Sequence, residues 1–368
     1  MLLGGCMIAG LLAGCGGGSG SSSSDDSSAA SSDDNSSGKS YHFEVVVKSF
    51  QATYWQAAME GIDAAIDELG VTVNTTGPNA ESDIADQVNM LNNAISQQPD
   101  GIALAACDQS AVLDSLQDAL DAGIPVVCFD AGVPDAPEGS VYATVATDNE
   151  AAGSLAAEKM YEVIGDYIRN ATEQVRIGEV NQDATSANIS GRGMGFINKM
   201  KELIEADGKT VAVTGNQFFV DQVENNGDEN SSDVIIEVAV PAQTTVELCA
   251  TEASNIMNKE DTIAIFGSNQ VSAEGVLTAN QNLTILASTP EEGIVGVGFD
   301  AGATLKAAVA DGTLVGAVTQ APVDEGRIAI ETLYDICEGK EVEDVATDSY
   351  WYDASNMEDE NIAPNLYD

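Results

Sequence analysis

DGIALAACDQSAVLDSLQDALDAGIPVVCFD, residues 100–130, contains a complete strand–helix–strand unit, which indicates the class of fold. Its first seven residues are mostly small or apolar, and residues 124–129 are apolar throughout. Both segments are typical of strands in a parallel sheet that helices cover on both faces. Between them, Val112 and Leu116 lie one helical turn apart on one face, and Gly123 is placed to end the helix. The stretch therefore predicts two parallel strands joined by a helix.

The same alternation continues on both sides of this unit, with roughly 25 to 35 residues per repeat. Further strands are predicted at 43–47, 71–73, 141–147, 175–180, 210–214, 234–238, 262–266, 294–299 and 315–319. Helices are predicted between most of them, and residues 215–232 form a polar insert that we expect to be a surface loop or small flap. Since so many units exceed what one sheet commonly holds, we predict an α/β fold with two parallel sheets.

The charge balance excludes several classes of partner. The chain of 368 residues carries 60 Asp and Glu against 13 Lys and Arg, a net charge of −47. Nucleic acids and anionic membrane surfaces both need clustered cations, so neither is an expected partner. We interpret the excess acid as a surface coat that confers solubility or tolerance of a salty medium.

Side chains for nucleophilic or metal-based catalysis are scarce. His42 is the single histidine, so neither a Ser-His-Asp triad nor a His-rich zinc site can be built. Four cysteines of the body, Cys107, Cys128, Cys249 and Cys337, stand singly in apolar runs or helices and are predicted to be small core residues. The paired carboxylates of a glycoside hydrolase cannot be recognised among so many acidic residues. We expect no enzyme, no cofactor and no metal site.

The first forty residues predict an export and anchoring segment outside the fold. Residues 1–15 contain an apolar run that is too short to span a membrane and fits a lipoprotein signal segment. LLAGC at 11–15 resembles the lipobox of bacterial lipoproteins, which implies lipidation of Cys15, with Cys6 as a weaker alternative. Residues 16–40, rich in Gly, Ser and Asp, are predicted to be a disordered tether.

Polar and aromatic side chains follow the predicted strands at the edge where ligands bind in open α/β sheets. They are Gln51, Tyr54, Trp55, Asp130, Asn269, Asp300 and Gln320. Plain alternatives exist: Tyr54 and Trp55 could be core residues that fasten a helix, Asn269 and Asp300 could be helix N-caps, and Asp130 could be a turn residue. Their common position at one edge favours a ligand site.

The body of the chain resembles the periplasmic sugar-binding proteins of ABC transporters, the group that includes ribose- and galactose-binding proteins. Matching stretches are SFQATYWQAAMEGIDAAIDELG (49–70), GIPVVCFDAG (123–132), TDNEAAGSLAAEKM (147–160) and VGFDAGATLKAAVADGTLVGAVTQAPVDEG (297–326). They occur in the order found in the family. The last stretch is the most diagnostic of the four.

The resemblance implies a type I periplasmic binding protein fold. This fold has two Rossmann-like parallel-sheet lobes, joined by a hinge that the chain crosses three times. The implied N-terminal lobe comprises residues 41–147 and 322–348, and the implied C-terminal lobe comprises residues 148–321 and 349–368.

The resemblance also implies roles for the strand-end residues. Tyr54 and Trp55 match the aromatic pair that stacks on the sugar ring in the family. Asp130, Asn269 and Asp300 match residues that hydrogen-bond sugar hydroxyls. A sugar presents an apolar C–H face and a rim of hydroxyl groups, so rings and carboxylates are suitable partners.

Further matches lie on the C-terminal side of the predicted cleft. Gln320 matches a polar contact near the hinge. Arg192 lies in the segment that supplies an arginine, two residues away from the ligand-binding position, which Ser190 occupies. Ala131 stands where ribose binders have an arginine, so the resemblance does not identify the sugar.

These features predict an extracytoplasmic, lipid-anchored and monomeric solute-binding protein that delivers a neutral monosaccharide or related polyol to an ABC transporter permease. No Lys or Arg occurs between Lys48 and Lys159, which disfavours a phosphorylated or sulfated ligand. The alternative is a sensor of the same fold that presents a sugar or autoinducer-like ligand to a membrane receptor, such as a chemoreceptor or sensor kinase. The lipobox disfavours a transcriptional repressor built on the same core.

Overall fold

Two β-sheets flanked by helices organise residues 40–368, the part of the chain that the computed structural model describes. Its strands are β1 (His42–Val46), β2 (Thr72–Thr76), β3 (Gly101–Leu104), β4 (Val126–Phe129), β5 (Val141–Thr147), β6 (Val175–Val180), β7 (Val211–Gly215), β8 (Val234–Ala239), β9 (Thr262–Gly267), β10 (Leu286–Ala287), β11 (Ile294–Phe299), β12 (Gly316–Thr319), β13 (Val345–Thr347) and β14 (Tyr350–Tyr352). Its helices are α1 (Thr53–Leu69), α2 (Ile84–Ser96), α3 (Leu113–Ala122), α4 (Asn149–Asn170), α5 (Ala187–Ala206), α6 (Gln217–Gln222), α7 (Val246–Met257), α8 (Gln270–Leu283), α9 (Ala303–Ala310) and α10 (Pro322–Cys337). The predicted lipidation residue Cys15 and all but the last residue of the predicted tether at 16–40 lie outside the described residues.

Almost all of the strands are parallel, as the apolar strand pattern predicts. The first sheet has six strands within residues 40–368, in the order β13-β5-β4-β3-β1-β2. The second has eight within the same range, in the order β14-β12-β11-β9-β6-β8-β7 with β10 beside β11, and β14 runs antiparallel to β12. Every residue of β3 and β4 is buried because helices cover both faces of the sheet. The unit predicted from residues 100–130 is thus present as β3, α3 and β4.

The chain passes between the two sheets three times. It leaves the first sheet after β5, returns between β12 and α10, and crosses again between β13 and β14. We call the half with β1–β5, α1–α3, α10 and β13 the first lobe, and the half with α4–α9, β6–β12 and β14 the second lobe. The predicted pair of α/β lobes with a three-crossing hinge is confirmed, whereas the residue-level lobe limits given above stay predictions.

One helix pair in each lobe packs at backbone distance through glycine. In the first lobe α1 crosses α10, where a Cβ added at Gly61 would lie 1.8 Å from the carbonyl oxygen of Val323. In the second lobe α4 crosses α5, where a Cβ added at Gly195 would lie 2.2 Å from the carbonyl oxygen of Glu150. Only a hydrogen atom fits at these positions, so glycine sets the separation of the paired helices.

Three short strands, β10, β13 and β14, were not predicted. Each has only two or three residues, which is too few to show an alternating pattern. The partners of two of them also come from more distant segments, since β13 pairs with β5 and β14 pairs with β12, whereas β10 pairs with the next strand, β11. The predicted insert at 215–232 contains the short helix α6, whose first turn is capped by the side chain of Asn216.

The hydrophobic cores lie between the sheets and the helices that cover them. Phe43 and Ile62 belong to the core of the first lobe, and Phe196 stacks on Phe266 at 4.5 Å in the second lobe. Three of the four body cysteines are buried as predicted, and the fourth is half-buried. The buried ones are Cys107, Cys128 and Cys249, and the half-buried one is Cys337.

The surface of the described region is dominated by carboxylates. Even the buried cation Arg176 lies between two carboxylates, Glu237 at 2.8 Å and Asp261 at 3.1 Å. Because 60 acidic residues face 13 basic ones, most carboxylates of the chain have no cation to pair with. Their mutual repulsion opposes the compact state.

We expect thermal stability to increase strongly with salt. Raising NaCl from 0.1 M to 1 M shortens the screening length from about 10 Å to about 3 Å and weakens the repulsion between surface carboxylates. The melting temperature, followed by circular dichroism, should rise by about 10 °C or more. Sucrose, which stabilises proteins without screening charge, is the control. A melting temperature that stays level or falls with NaCl would contradict this account.

The glycine contact between α4 and α5 provides a second test. Gly195→Ala should lower the free energy of unfolding by about 3 kcal/mol, because its methyl group would overlap the Glu150 carbonyl. Gly191→Ala, on the same helix, is the matched control, since its added Cβ would lie 3.7 Å from its nearest neighbour. That control should be neutral or stabilising by up to about 1 kcal/mol. Equal effects of the two substitutions in urea denaturation would show that the contact does not set the packing.

Candidate functional site

A small cavity lies where the carboxyl ends of the two sheets face each other. Its polar and aromatic lining residues are Lys48, Tyr54, Trp55, Glu81 and Asp130 from the first lobe and Gln182, Asn188, Arg192, Asn269, Gln270, Asp300 and Gln320 from the second. Its volume is about 30 Å³, which is room for about one water molecule. The arrangement described therefore leaves no room for a larger molecule.

The two lobes each present an aspartate in the same local setting. Asp130 follows β4 and Asp300 follows β11, each within the sequence FDAG. Both have positive φ angles, 58° and 74°, which are strained for residues other than glycine. Their backbone amides donate to the neighbouring strands, at Val145 O (3.0 Å) and Val318 O (2.7 Å). The repeated FDAG is a sequence signal that the prediction did not use.

Lys48 is the most consequential cavity residue that sequence reasoning missed. Its ammonium group lies 2.8 Å from Oδ2 of Asp130 and donates to Oδ1 of Asn188 at 2.9 Å. Burial alone lowers the pKa of Lys48, but the surrounding carboxylates, Asp130 foremost, outweigh it, so the pKa is raised. Lys48 therefore stays charged inside the protein. Its position two residues after β1 was the available signal.

Arg192 organises the side of the cavity that the second lobe provides. Its guanidinium carbon lies 3.6 Å from the centroid of the Phe299 ring, and it donates to Oε1 of Gln320 at 3.0 Å. Gln320 in turn donates to one oxygen of Asp300, and the backbone amide of Gln270 donates to the other at 2.9 Å. Burial raises the pKa of Asp300, although the charge of Arg192 acts in the opposite direction.

The cavity carries no excess of positive charge. Lys48 and Arg192 are outnumbered by the carboxylates of Glu81, Asp130 and Asp300. Burial raises the pKa of Glu81 as well, because it disfavours the charged carboxylate. A phosphate or sulfate group needs cations that are not already neutralised. The arrangement of charges therefore suits a neutral molecule with hydroxyl groups.

The aromatic pair at the start of α1 belongs to the core and to the cavity at once. Trp55 is 2% exposed and Tyr54 is 5% exposed, and their rings meet edge to face at 5.0 Å. Trp55 also meets Phe129 edge to face, and its indole N–H donates to Oε1 of Glu81 at 2.9 Å. The two interpretations from the sequence, core packing and cavity wall, thus apply to the same side chains.

The helix-cap interpretation applies to Asn269 but not to Asp300. The side chain of Asn269 accepts from the backbone amide of Ser272 at 3.1 Å in a capping box at the start of α8. Its own amide group donates to Gln182 across the cavity lining. The N-cap of α9 is Gly302 and not Asp300. The Asp300 carboxylate accepts instead from the backbone amide of Gln270, the first residue of α8.

Two predicted ligand residues lie outside the cavity lining. Gln51 is exposed. Ser190 is buried in α5, and its hydroxyl donates to the carbonyl oxygens of Ser186 and Ala187 in the preceding turn. Of the two predicted residues on α5, Ser190 and Arg192, it is Arg192 that lines the cavity. Roles for Gln51 and Ser190 stay predictions that no described contact supports.

Polar contacts join the two lobes across the cavity. Besides the bond from the Lys48 ammonium group, Nε2 of Gln182 donates to Oε2 of Glu81 at 2.7 Å, and Nε2 of Gln270 donates to Oγ1 of Thr53 at 3.0 Å. Sequence reasoning missed Glu81, Gln182 and Gln270. Gln182 could have been found because it follows β6 at the same sheet edge, whereas Glu81 lies in the loop before α2, where no strand end marks it.

Two further structural observations concern metals and membranes. Within residues 40–368, no three His, Cys, Asp or Glu side chains are grouped so as to hold a metal ion. Among the helices of that same range, none combines the length and the apolar character that a membrane crossing requires.

Comparison with known proteins independently supports the two-lobed fold described above. The sequence model described as "Periplasmic binding protein domain" matches residues 43–341. The ribose import binding protein of Bacillus subtilis (strain 168) is 24% identical over 306 residues, which cover 83% of this chain and 84% of that protein.

Solved structures show the same fold. An ABC transporter solute-binding protein from Agrobacterium vitis with bound D-fucose is 27% identical, with a TM-score of 0.72 over 89% of this chain and all of that one. A second protein from Agrobacterium vitis, bound with α-D-tagatopyranose, has a TM-score of 0.74 at 19% identity, covering 89% of this chain and 99% of that one, and shows the fold alone. With two parallel-sheet lobes, three hinge crossings and a family match over most of its length, the chain belongs to the periplasmic binding protein family.

Proposed function

We propose that this protein captures a neutral monosaccharide or related polyol between its two lobes and delivers it to an ABC transporter permease. It acts outside the cytoplasm as a monomer, held to the membrane by a lipid on Cys15, and it binds and releases its ligand without chemical change. The observation that carries the proposal is the cavity between the lobes, where aromatic side chains lie beside buried carboxylates and amides, the ion pair of Lys48 with Asp130, and Arg192.

The chemistry of a sugar fits this combination of groups. Tyr54 and Trp55 offer apolar surface for a C–H face of the ring. Asp130 and Asp300 can accept hydroxyl protons in charge-assisted hydrogen bonds, and Asn269 and the other amides can both donate and accept. A micromolar site needs about −8 kcal/mol, which a few such bonds and one stacked ring can supply.

The hinge explains how such a ligand would be enclosed. The cross-lobe bonds at the cavity are polar, so ligand hydroxyls can replace them without leaving buried groups unpaired. Opening and closing about the three crossings would admit the ligand and then shield it from water. A permease can distinguish the closed form from the open form. The D-fucose bound by the relative from Agrobacterium vitis supports a saccharide as the ligand class.

A ligand screen tests the proposal. At least one of D-ribose, D-arabinose, D-fucose, D-galactose, D-glucose and D-tagatose should raise the melting temperature, since a ligand at 100 times its Kd stabilises the folded state by about 2.7 kcal/mol. Asp300→Asn should weaken that binding at least tenfold in isothermal titration, because it removes a charge-assisted bond to a hydroxyl. Asp67→Asn, at an exposed position of α1, is the matched control and should bind as the wild type does.

Three outcomes would count against the proposal. No shift with any sugar of the panel would argue against a saccharide ligand. Binding that survives in the Asp300→Asn variant would place the ligand elsewhere on the protein. If deletion in the source organism left uptake of the bound sugar intact and removed only a response to it, the protein would be a sensor and not a transport component.

A further inference from the structure

A fully buried carboxyl group lies at the hinge, outside the cavity lining. Glu325 stands in the first turn of α10 and has no solvent exposure. Its Oε1 accepts three hydrogen bonds, from the backbone amide of Thr147 at 3.1 Å, from the hydroxyl of Thr147 at 2.9 Å and from the hydroxyl of Thr347 at 2.8 Å. Its Oε2 accepts from the hydroxyl of Tyr54 at 2.8 Å.

The threonine partners of Glu325 mark the hinge. Thr147 is the last residue of β5, directly before the first crossing, and Thr347 is the last residue of β13, directly before the third. Glu325 itself follows the second crossing, three residues after Pro322 opens α10. One carboxyl group therefore fastens together chain segments next to all three crossings.

The fourth partner links this group to the cavity. Tyr54 lines the cavity, and its ring meets the ring of Tyr367 edge to face at 6.1 Å. Tyr367 is bound to the second lobe, because its carbonyl oxygen accepts from the backbone amide of Gly302 and its hydroxyl accepts from that of Ala301. Tyr54 is thus contacted from both lobes, while Glu325 holds its hydroxyl at the hinge.

We propose that Glu325 is a positioning residue, which holds the Tyr54 wall in a defined place relative to the three hinge crossings, so that ligand capture depends on it. The inference rests on the function proposed above. Glu325 does not line the cavity and acts through Tyr54. Loss of the bond would leave Tyr54 free to shift. The ligand would then have to order that ring, and the entropic cost of doing so would weaken binding.

The protonation state of Glu325 provides a readout that simple packing would not give. The titratable groups that face it are Tyr54 on α1 and Asp130 after β4, while β5 and β13 present only threonines. Burial, followed by the negative charge of Asp130, raises the pKa of Glu325 to about 7. Oε1 accepts three hydrogen bonds and Oε2 accepts one, so a proton on Oε2 displaces the fewest donors and points at Tyr54. The tyrosine must then accept where it had donated.

The direction of the pH effect follows from this reversal. As pH falls from 8 to 5.5, Glu325 takes up a proton and its charge-assisted bond with Tyr54 is replaced by a weaker neutral one, so sugar affinity should fall several-fold. The stability contribution has the opposite sign: a carboxyl whose folded pKa lies above its unfolded pKa favours the folded state at low pH, and this contribution is lost as pH rises through about 7.

The first test uses D-ribose and D-fucose, titrated separately by calorimetry at pH 8 and pH 5.5. Glu325→Gln and Tyr54→Phe should each weaken binding about tenfold at pH 8, and the double variant should be no weaker than either, since both break one bond. Both single variants should also lose most of the pH dependence. Asp324→Asn, the exposed neighbour on the same helix, is the matched control and should keep wild-type affinity and pH dependence.

The second test needs no ligand, so that its failure can be told apart from failure of the proposed function. Trp351→Phe leaves Trp55, which packs against Tyr54, as the single tryptophan of the chain. In that background the fluorescence of Trp55 should change with a midpoint near pH 7, and Glu325→Gln or Tyr54→Phe should abolish the change. If the fluorescence transition occurs but neither sugar binds, the role of Glu325 at the hinge is upheld and the proposed sugar ligand is refuted. If Glu325→Gln fails to fold, Tyr54→Phe carries the test, and wild-type affinity and titration in that variant would overturn the inference.

Discussion

Charge buried between two lobes has to be neutralised where it lies, and the rest of this site depends on how Lys48 meets that requirement. An ammonium group taken out of water is costly unless a carboxylate and further hydrogen-bond partners surround it. Asp130 supplies the carboxylate from the same lobe, and Asn188 supplies an amide oxygen from the other. The ammonium group therefore gains its bond to Asn188 only when the lobes are together. This makes the closed arrangement favourable and leaves the cavity without surplus positive charge.

The residues around this pair carry structural and binding roles together. Asn269 caps α8 and reaches the cavity, and Trp55 fills the core of the first lobe while its edge lines the cavity. Rigid placement follows from this double use, because a side chain held by packing or by a cap loses little further freedom when it binds a ligand. The close glycine contact between α1 and α10 then sets where the start of α1, which carries Trp55, lies.

Much of the fold could be predicted from the sequence because its signals are local. Apolar runs of four to seven residues, helical periodicity and glycine stops identified most of the strands and helices, including the unit at residues 100–130. The strands β13 and β14 escaped because each is only three residues long and is stabilised by a partner far away in the chain. At the site, strand-end positions led to Asp130 and Asp300. Glu81 lies in a loop, which gave no such signal.

The class of fold, the order of its units and the sheet edge at which polar residues gather can all be read from the sequence, since each follows from local periodicity and from the side-chain types present. Which of those residues contact one another is visible only in the folded structure. Lys48 and Asn188 are 140 residues apart, and Glu325 and Thr147 are 178 apart. Such contacts form because two sheets and three crossings bring segments that are distant in sequence together. A local sequence pattern contains no information about a partner so far along the chain.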